Sequence, residues 1–166
     1  SAGLSMTKPG LPIRHLGRFA EEALDEAKSY NPLNTRPTPK NAVSCYGIPV
    51  SWHQFEELMQ CEAELGRLEA EASLSTGYLY SLINLADMAA GIKDRPENAL
   101  WHSRFVYRTL RMLERAVGSG KDGRKAAEVR SAILDKLAET IAIKGIEKHG
   151  KAYNIALFTR LYQRRN

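Results

Sequence analysis

The sequence predicts an all-α fold, a compact bundle of five or six helices with an N-terminal helix and a Pro-rich connecting arm. Three observations predict it. Leu and Ala together number 39 of the 166 residues while Val numbers five, a bias toward helix and away from a large sheet. Apolar residues recur at three- and four-residue spacings along most of the chain. Several of these runs open on a capping signal and close on Gly or Pro. A chain of this length buries enough surface to fold as one ordinary domain without a disulfide or a metal. Cys45 and Cys61 are too few for a disulfide framework and fit a reducing compartment.

Residues 1–5 precede the first methionine, Met6, and are expected to be an appended segment outside the fold. The first helix is predicted over 13–30. Leu16, Ala20, Ala23, Ala27 and Tyr30 make one narrow apolar stripe, and Glu21, Glu22, Asp25 and Glu26 make the solvated side. Asn31-Pro32 stops it. Residues 31–49 hold Pro32, Pro37, Pro39 and Pro49 with little periodicity and read as a linker. A second helix starts at Ser51, an N-cap with Gln54 three residues on, and carries Leu58, Cys61, Leu65, Leu68 and Ala72. Its seam suits packing within the chain or pairing with a second copy, so a homodimer is one expectation.

Ser73 to Gly77 reads as a break. A third helix over 76–90, with Leu79, Ile83, Ala86 and Ala90, is apolar around most of its circumference and is expected at the centre. Asp94 is expected to cap a fourth helix, with Pro96 and Glu97 in its first turn, running to about residue 117. A fifth is predicted over 124–149 with a bend at Gly145, and a sixth over 151–163. The expected organisation is an N-terminal helix and arm over 1–49 and a helical bundle over 50–166.

Charge is unevenly divided. Residues 1–50 sum to +2, residues 51–94 to −6 and residues 95–166 to +9, giving the net +5. Such asymmetry points to a polyanionic partner for the basic part, or to attraction between the two parts within the fold. The fourth helix carries the sharpest feature. Arg104, Arg108, Arg111 and Arg115 fall at about 0°, 40°, 340° and 20° at 100° per residue, one sector of the helix. Val106, Leu110, Leu113 and Val117 fall on the opposite side and are expected to be buried, pushing the guanidinium groups outward. Like charges in a row repel, and a row of phosphates relieves that repulsion, with the planar Arg fork suited to each contact. Trp101 and Phe105 flank the stripe and are expected to stack on bases or on the arginines. Lys144, Lys148 and Lys151 extend the basic surface, and Arg160, Arg164 and Arg165 either extend it or only aid solubility. The alternative role for the stripe is docking on Glu56, Glu57, Glu62, Glu64, Glu69 and Glu71 of the second helix. Glu62 and Glu69 themselves read as a solvated flank.

Other chemistry finds no support. No apolar run approaches ~18 residues and no charged-then-apolar leader opens the chain, so a cytoplasmic protein without membrane contact is expected. His15, His53, His102 and His149 have no metal-ligand spacing, no catalytic set can be assembled, and neither cofactor nor enzymatic activity is expected. Gly118-Ser119-Gly120-Lys121 resembles part of a phosphate loop, but Arg115 and Asp122 stand where Gly and Ser or Thr are needed, and a helix precedes it. Residues 138–153 suggest a loose helix-turn-helix, for which one continuous helix is the better account. The expected function is a non-enzymatic accessory protein that binds nucleic-acid backbone, within or beside a larger assembly. Small helical subunits of nucleoprotein machines offer a fold-level analogy. A protein-binding adaptor or inhibitor is the alternative.

Overall fold

The computed structural model describes residues 1–7, 10–117 and 124–164, with side chains omitted at 116, 117 and 124–126. The chain is mostly helical, but a three-stranded sheet corrects the all-α expectation. The strands are β1 (Ala2–Leu4), β2 (Ala42–Cys45) and β3 (Ile48–Ser51), and the α-helices are α1 (Ile13–Ser29), α2 (Trp52–Ala72), α3 (Thr76–Ala90), α4 (Trp101–Val117), α5 (Arg124–Leu137) and α6 (Asn154–Gln163). The chain forms two compact units, Ser1–Met59 and Gln60–Asn166, divided within α2.

The first unit is built around the sheet, in the order β1-β2-β3. β1 runs parallel to β2, with Gly3 opposite Ser44, and α1 makes the crossover between them. Residues 1–5 are therefore part of the fold. Gly3 shows why its residue type matters: a Cβ there would stand 2.3 Å from the Leu24 backbone nitrogen and 2.7 Å from the Ala20 carbonyl oxygen. Only a residue without a side chain lets α1 lie directly on β1. Ala23 and Ala27 of the predicted stripe are buried. The expected linker ends in a hairpin, β2 and β3 pairing antiparallel across Tyr46-Gly47. Both turn residues have positive φ, 56° and 71°, which matches the twist of a two-residue hairpin. Pro49 is tolerated because β3 is an edge strand. Every residue of β2 is buried, and burial pushes the Cys45 thiol up to about 11, which keeps it protonated and inert.

The Ser51 hydroxyl accepts the Gln54 N–H at 3.1 Å, as the capping pattern predicts. α2 stops at Ala72, Ser73 turns in the left-handed region at φ 51°, and the Ser75 hydroxyl caps α3 by accepting the Tyr78 N–H at 3.1 Å.

In the second unit α3 is the hub. It packs on α4, α6 and the segments leading into them, with Leu79, Leu82, Leu85 and Ala86 buried. Asp94 does not cap α4. A 3₁₀ turn, Pro96–Leu100, precedes it, with Arg95 at its boundary and no side-chain cap. The predicted fifth helix is also corrected. α5 ends at Leu137 and continues as a π-helical segment, Ala138–Glu147, before a 3₁₀ turn, Gly150–Tyr153, leads into α6. The wider i→i+5 turn rephases the apolar residues, so Leu137, Ile141, Ala142 and Ile146 all reach the core. Gly145 belongs to this rephasing: a Cβ there would lie 2.6 Å from Cζ of the fully buried Tyr153. In place of one continuous helix over 138–153, Gly150 at φ 55° turns the chain between the π-helical segment and α6. Among the described residues no helix is long and apolar enough to cross a membrane.

Candidate nucleic-acid interface

α4 buries a different face from the one its aliphatic residues suggest. Trp101, Phe105, Thr109, Met112 and Leu113 are buried, whereas Val106 and Leu110 are 44% and 41% exposed. The two aromatic rings hold more apolar area than Val106 and Leu110 do, so burial follows them. Trp101, at 1% exposure, and Phe105, at 2%, are core residues and cannot stack on a base. Thr109 completes that face. Its hydroxyl donates to the Phe105 carbonyl at 2.8 Å and shares a 2.8 Å hydrogen bond with the Tyr78 hydroxyl, tying α4 to α3. Burial pushes the Tyr78 hydroxyl well above its ordinary value, so it stays neutral.

The choice of face fixes the position of the arginines. They lie along the edge of the buried face instead of opposite it, and so line a cleft beside α3. This cleft has a volume of about 580 Å³ and is walled by Ser75, Gly77, Tyr78 and Ser81 on one side and by Tyr107, Arg108, Arg111, Met112 and Arg115 on the other. Among the described residues no carboxylate lines it. The amino end of α3 opens into it at Gly77, where nothing stands within 4 Å of an added Cβ, and contributes the positive end of the helix dipole. A second depression, lined by Leu100, Ser103, Arg104, Tyr107 and Arg108, continues along α4.

All four arginines of the stripe are exposed. Arg104 donates to the Met88 sulfur at 3.4 Å, and Arg111 meets Glu114 of its own helix at 3.6 Å, both groups about half exposed. Among the described residues Arg108 and Arg115 meet no carboxylate. Docking of the stripe on α2 is therefore not observed.

The α2 carboxylates of this unit are engaged elsewhere. Arg160 Nε donates to Glu69 Oε2 at 2.6 Å and its Nη1 reaches Glu62 Oε1 at 3.4 Å. Arg164 Nε donates to Glu69 Oε1 at 2.6 Å and its Nη1 to Thr76 Oγ1 at 2.9 Å, and Nη2 caps the Leu74 carbonyl. These side chains are 13–24% exposed, so Glu62 and Glu69 are not a solvated flank, and Arg160 and Arg164 are not free basic surface. Burial acts to raise the Glu69 carboxyl, but hydrogen bonds from Arg164 and Arg160 outweigh it and hold the group below its ordinary value. Gly66 leaves room for this network, since a Cβ there would stand 3.1 Å from Arg160 Nη1. Lys136 pairs with Glu71 in the same way, at the surface.

No protein-family model, curated protein or solved structure matches the chain.

The remaining basic residues are dispersed. Lys144 lies 2.7 Å from Glu139, and the hydrogen bond between them lowers the Glu139 carboxyl. Five residues apart, these two would diverge by about 140° on an α-helix, and the π-helical turn brings them together. Lys148 and Lys151 are exposed. Arg165 and the glycine-rich stretch 118–123 lie outside the described residues. Among the described residues no group of three or more His, Cys, Asp or Glu stands together as a metal site. His102 meets Glu147 at 3.2 Å on the surface. Sequence reasoning missed Tyr107, which is 64% exposed and lines both depressions. Its spacing from Arg104, Arg108 and Arg111 was the available signal.

Proposed function

We propose that this chain is a non-enzymatic accessory protein that binds nucleic-acid backbone through Arg104, Arg108, Arg111 and Arg115 of α4, as a subunit or partner of a larger nucleoprotein assembly. In this reading the Gln60–Asn166 unit serves as a helical bundle that presents α4, with Lys144, Lys148 and Lys151 at the margin. The observation that carries the reading is the exposed stripe itself. Its four guanidinium groups border clefts that no carboxylate among the described residues lines, while the Glu62 and Glu69 carboxylates are taken up by Arg160 and Arg164. A fold gains nothing from holding four like charges on one helix edge, whereas phosphates along a strand neutralise them. Arg108→Glu with Arg111→Glu tests it. Affinity for oligonucleotides is expected to fall at least tenfold for all sequences alike, with the fold retained. Binding that survives the double reversal unchanged contradicts the reading.

A second reading, a protein-binding adaptor or inhibitor, draws on a different observation. Leu100 beside Arg104 is 54% exposed, and Val106 and Leu110 on the side of α4 away from the arginines are 44% and 41% exposed, apolar surface that an acidic protein or a second copy of this chain would cover. In that case the double reversal abolishes capture of the protein partner, while weak nucleic-acid binding persists through Lys144, Lys148 and Lys151.

A further inference from the structure

Tyr107 separates two kinds of nucleic-acid target. At 64% exposure Tyr107 is the most exposed aromatic residue among the described residues, on a helix whose exposed residues include four arginines. It lines the depression that holds Ser103 and Arg104, and it also lines the cleft that holds Arg111 and Arg115, with Arg108 common to both. The ring thus stands between two cationic recesses. Its residue spacing from Arg104 and Arg111 is three and four, so guanidinium groups stand before and after it along the helix, all to one side of the ring.

Resting on the backbone-binding reading above, we infer that the α4 surface takes single-stranded nucleic acid, with one unpaired base against Tyr107 and the phosphates before and after it on the arginines of the two recesses. A duplex satisfies the arginines but keeps its base faces stacked inside, leaving Tyr107 against a charged backbone. A single strand supplies both groups at once, because every unpaired base has a free face and carries a phosphate on each side. Stacking tolerates any base, so the surface discriminates strandedness and not sequence. The Tyr78–Thr109 hydrogen bond joins the two helical walls of the larger recess, so its arginines keep a fixed position relative to α3.

The experiment uses the full chain, with fluorescent oligothymidylate and oligouridylate 12-mers and a mixed-sequence 12-base-pair duplex as probes, at one fixed salt concentration. The single strands are expected to bind more tightly than the duplex. Tyr107→Ala is expected to weaken single-strand binding by about 5- to 100-fold, the range of one lost base stack, and duplex binding by less than about twofold. Tyr107→Phe is expected to restore single-strand affinity. Because Tyr107 is exposed, the variants are expected to keep the parent circular dichroism and melting temperature, which separates stacking from folding. Duplex binding as tight as single-strand binding, or an equal effect of Tyr107→Ala on both probes, overturns the inference. If Arg108→Gln weakens every probe and Tyr107→Ala weakens none, the inference fails and the backbone-binding reading stands. If Arg108→Gln changes nothing, the reading fails and takes the inference with it.

Discussion

The basic half of the chain contains two sets of arginines with opposite surroundings. At the C-terminal end of α6, Arg160 and Arg164 are 24% and 17% exposed; Arg160 bonds Glu62 and Glu69 of α2, and Arg164 bonds Glu69, the Leu74 carbonyl and Thr76 at the start of α3. On α4, Arg104, Arg108, Arg111 and Arg115 are exposed and border clefts that no carboxylate among the described residues lines. Sequence charge alone treats the two sets alike. The difference comes from the apolar residues beside them. On α6, Ile155, Leu157 and Leu161 are buried, and Arg160 and Arg164 are drawn in toward Glu62 and Glu69. On α4 the aromatic residues choose the buried face, and the arginines are left at its edge facing a cleft. The attraction between acidic middle and basic end that the charge split suggests is therefore real, but α6 and Lys136 satisfy it instead of the α4 stripe.

The largest expected effect that sharpens this contrast is on stability. Arg160→Met leaves Glu62 without its partner and Glu69 with only Arg164. The loss is expected to be about 2–3 kcal/mol, below the value for fully buried pairs because solvent still reaches the site. Chemical denaturation measures it, and a change under about 0.5 kcal/mol would make α6 as dispensable as a surface pair.

A smaller effect concerns pH. The folded-state value of Glu69 lies below its ordinary 4.5, so the stabilisation from its pairing is complete above that value and is lost as pH falls through the folded one. Melting temperature should therefore decline on the acid side of about pH 4.5. Glu69→Gln, less stable at neutral pH, should show a shallower acid limb. Parallel limbs in the two proteins would show that Glu69 does not carry the linkage.

The smallest effect is the absence of one on α4. Arg108→Gln and Arg111→Gln should each change stability by about 0.5 kcal/mol or less, as exposed substitutions do. A cost like that of Arg160→Met would erase the distinction between the two sets.

Much of the helical frame was legible in the sequence. The Ser51 cap, the break after Ala72, the central α3 and the C-terminal end of α4 followed from cap residues and periodicity, whereas the start of α4 did not. The sheet was not, for local reasons. Its strands are three or four residues long, β2 is buried on both faces and shows no alternation, and Pro49 argued against a strand that tolerates it only at an edge. Gly3 looked like part of an appended tail because its partner is the α1 backbone, a contact no sequence pattern records. The π-helical segment was hidden because Ile141, Ala142, Gly145 and Ile146 fit an α stripe almost as well, and only the Tyr153 ring packed on Gly145 decides between them. For the candidate site, the stripe was legible from spacing. Spacing puts Trp101 beside the stripe, where the structure buries it, and singles out no role for the exposed Tyr107, because the aliphatic residues read as the core face.

The central claim is that the α4 arginines are the ones that meet phosphate. The salt dependence of binding tests it most directly, using the full chain and a 12-mer single strand from about 50 to 200 mM salt. With three to four phosphates engaged, log K is expected to fall against log salt with a slope of about −2 to −3, and Arg108→Gln with Arg111→Gln should reduce that slope by roughly one unit or more. A slope that stays the same when the stripe is neutralised would contradict the account and place phosphate contact elsewhere on the molecule.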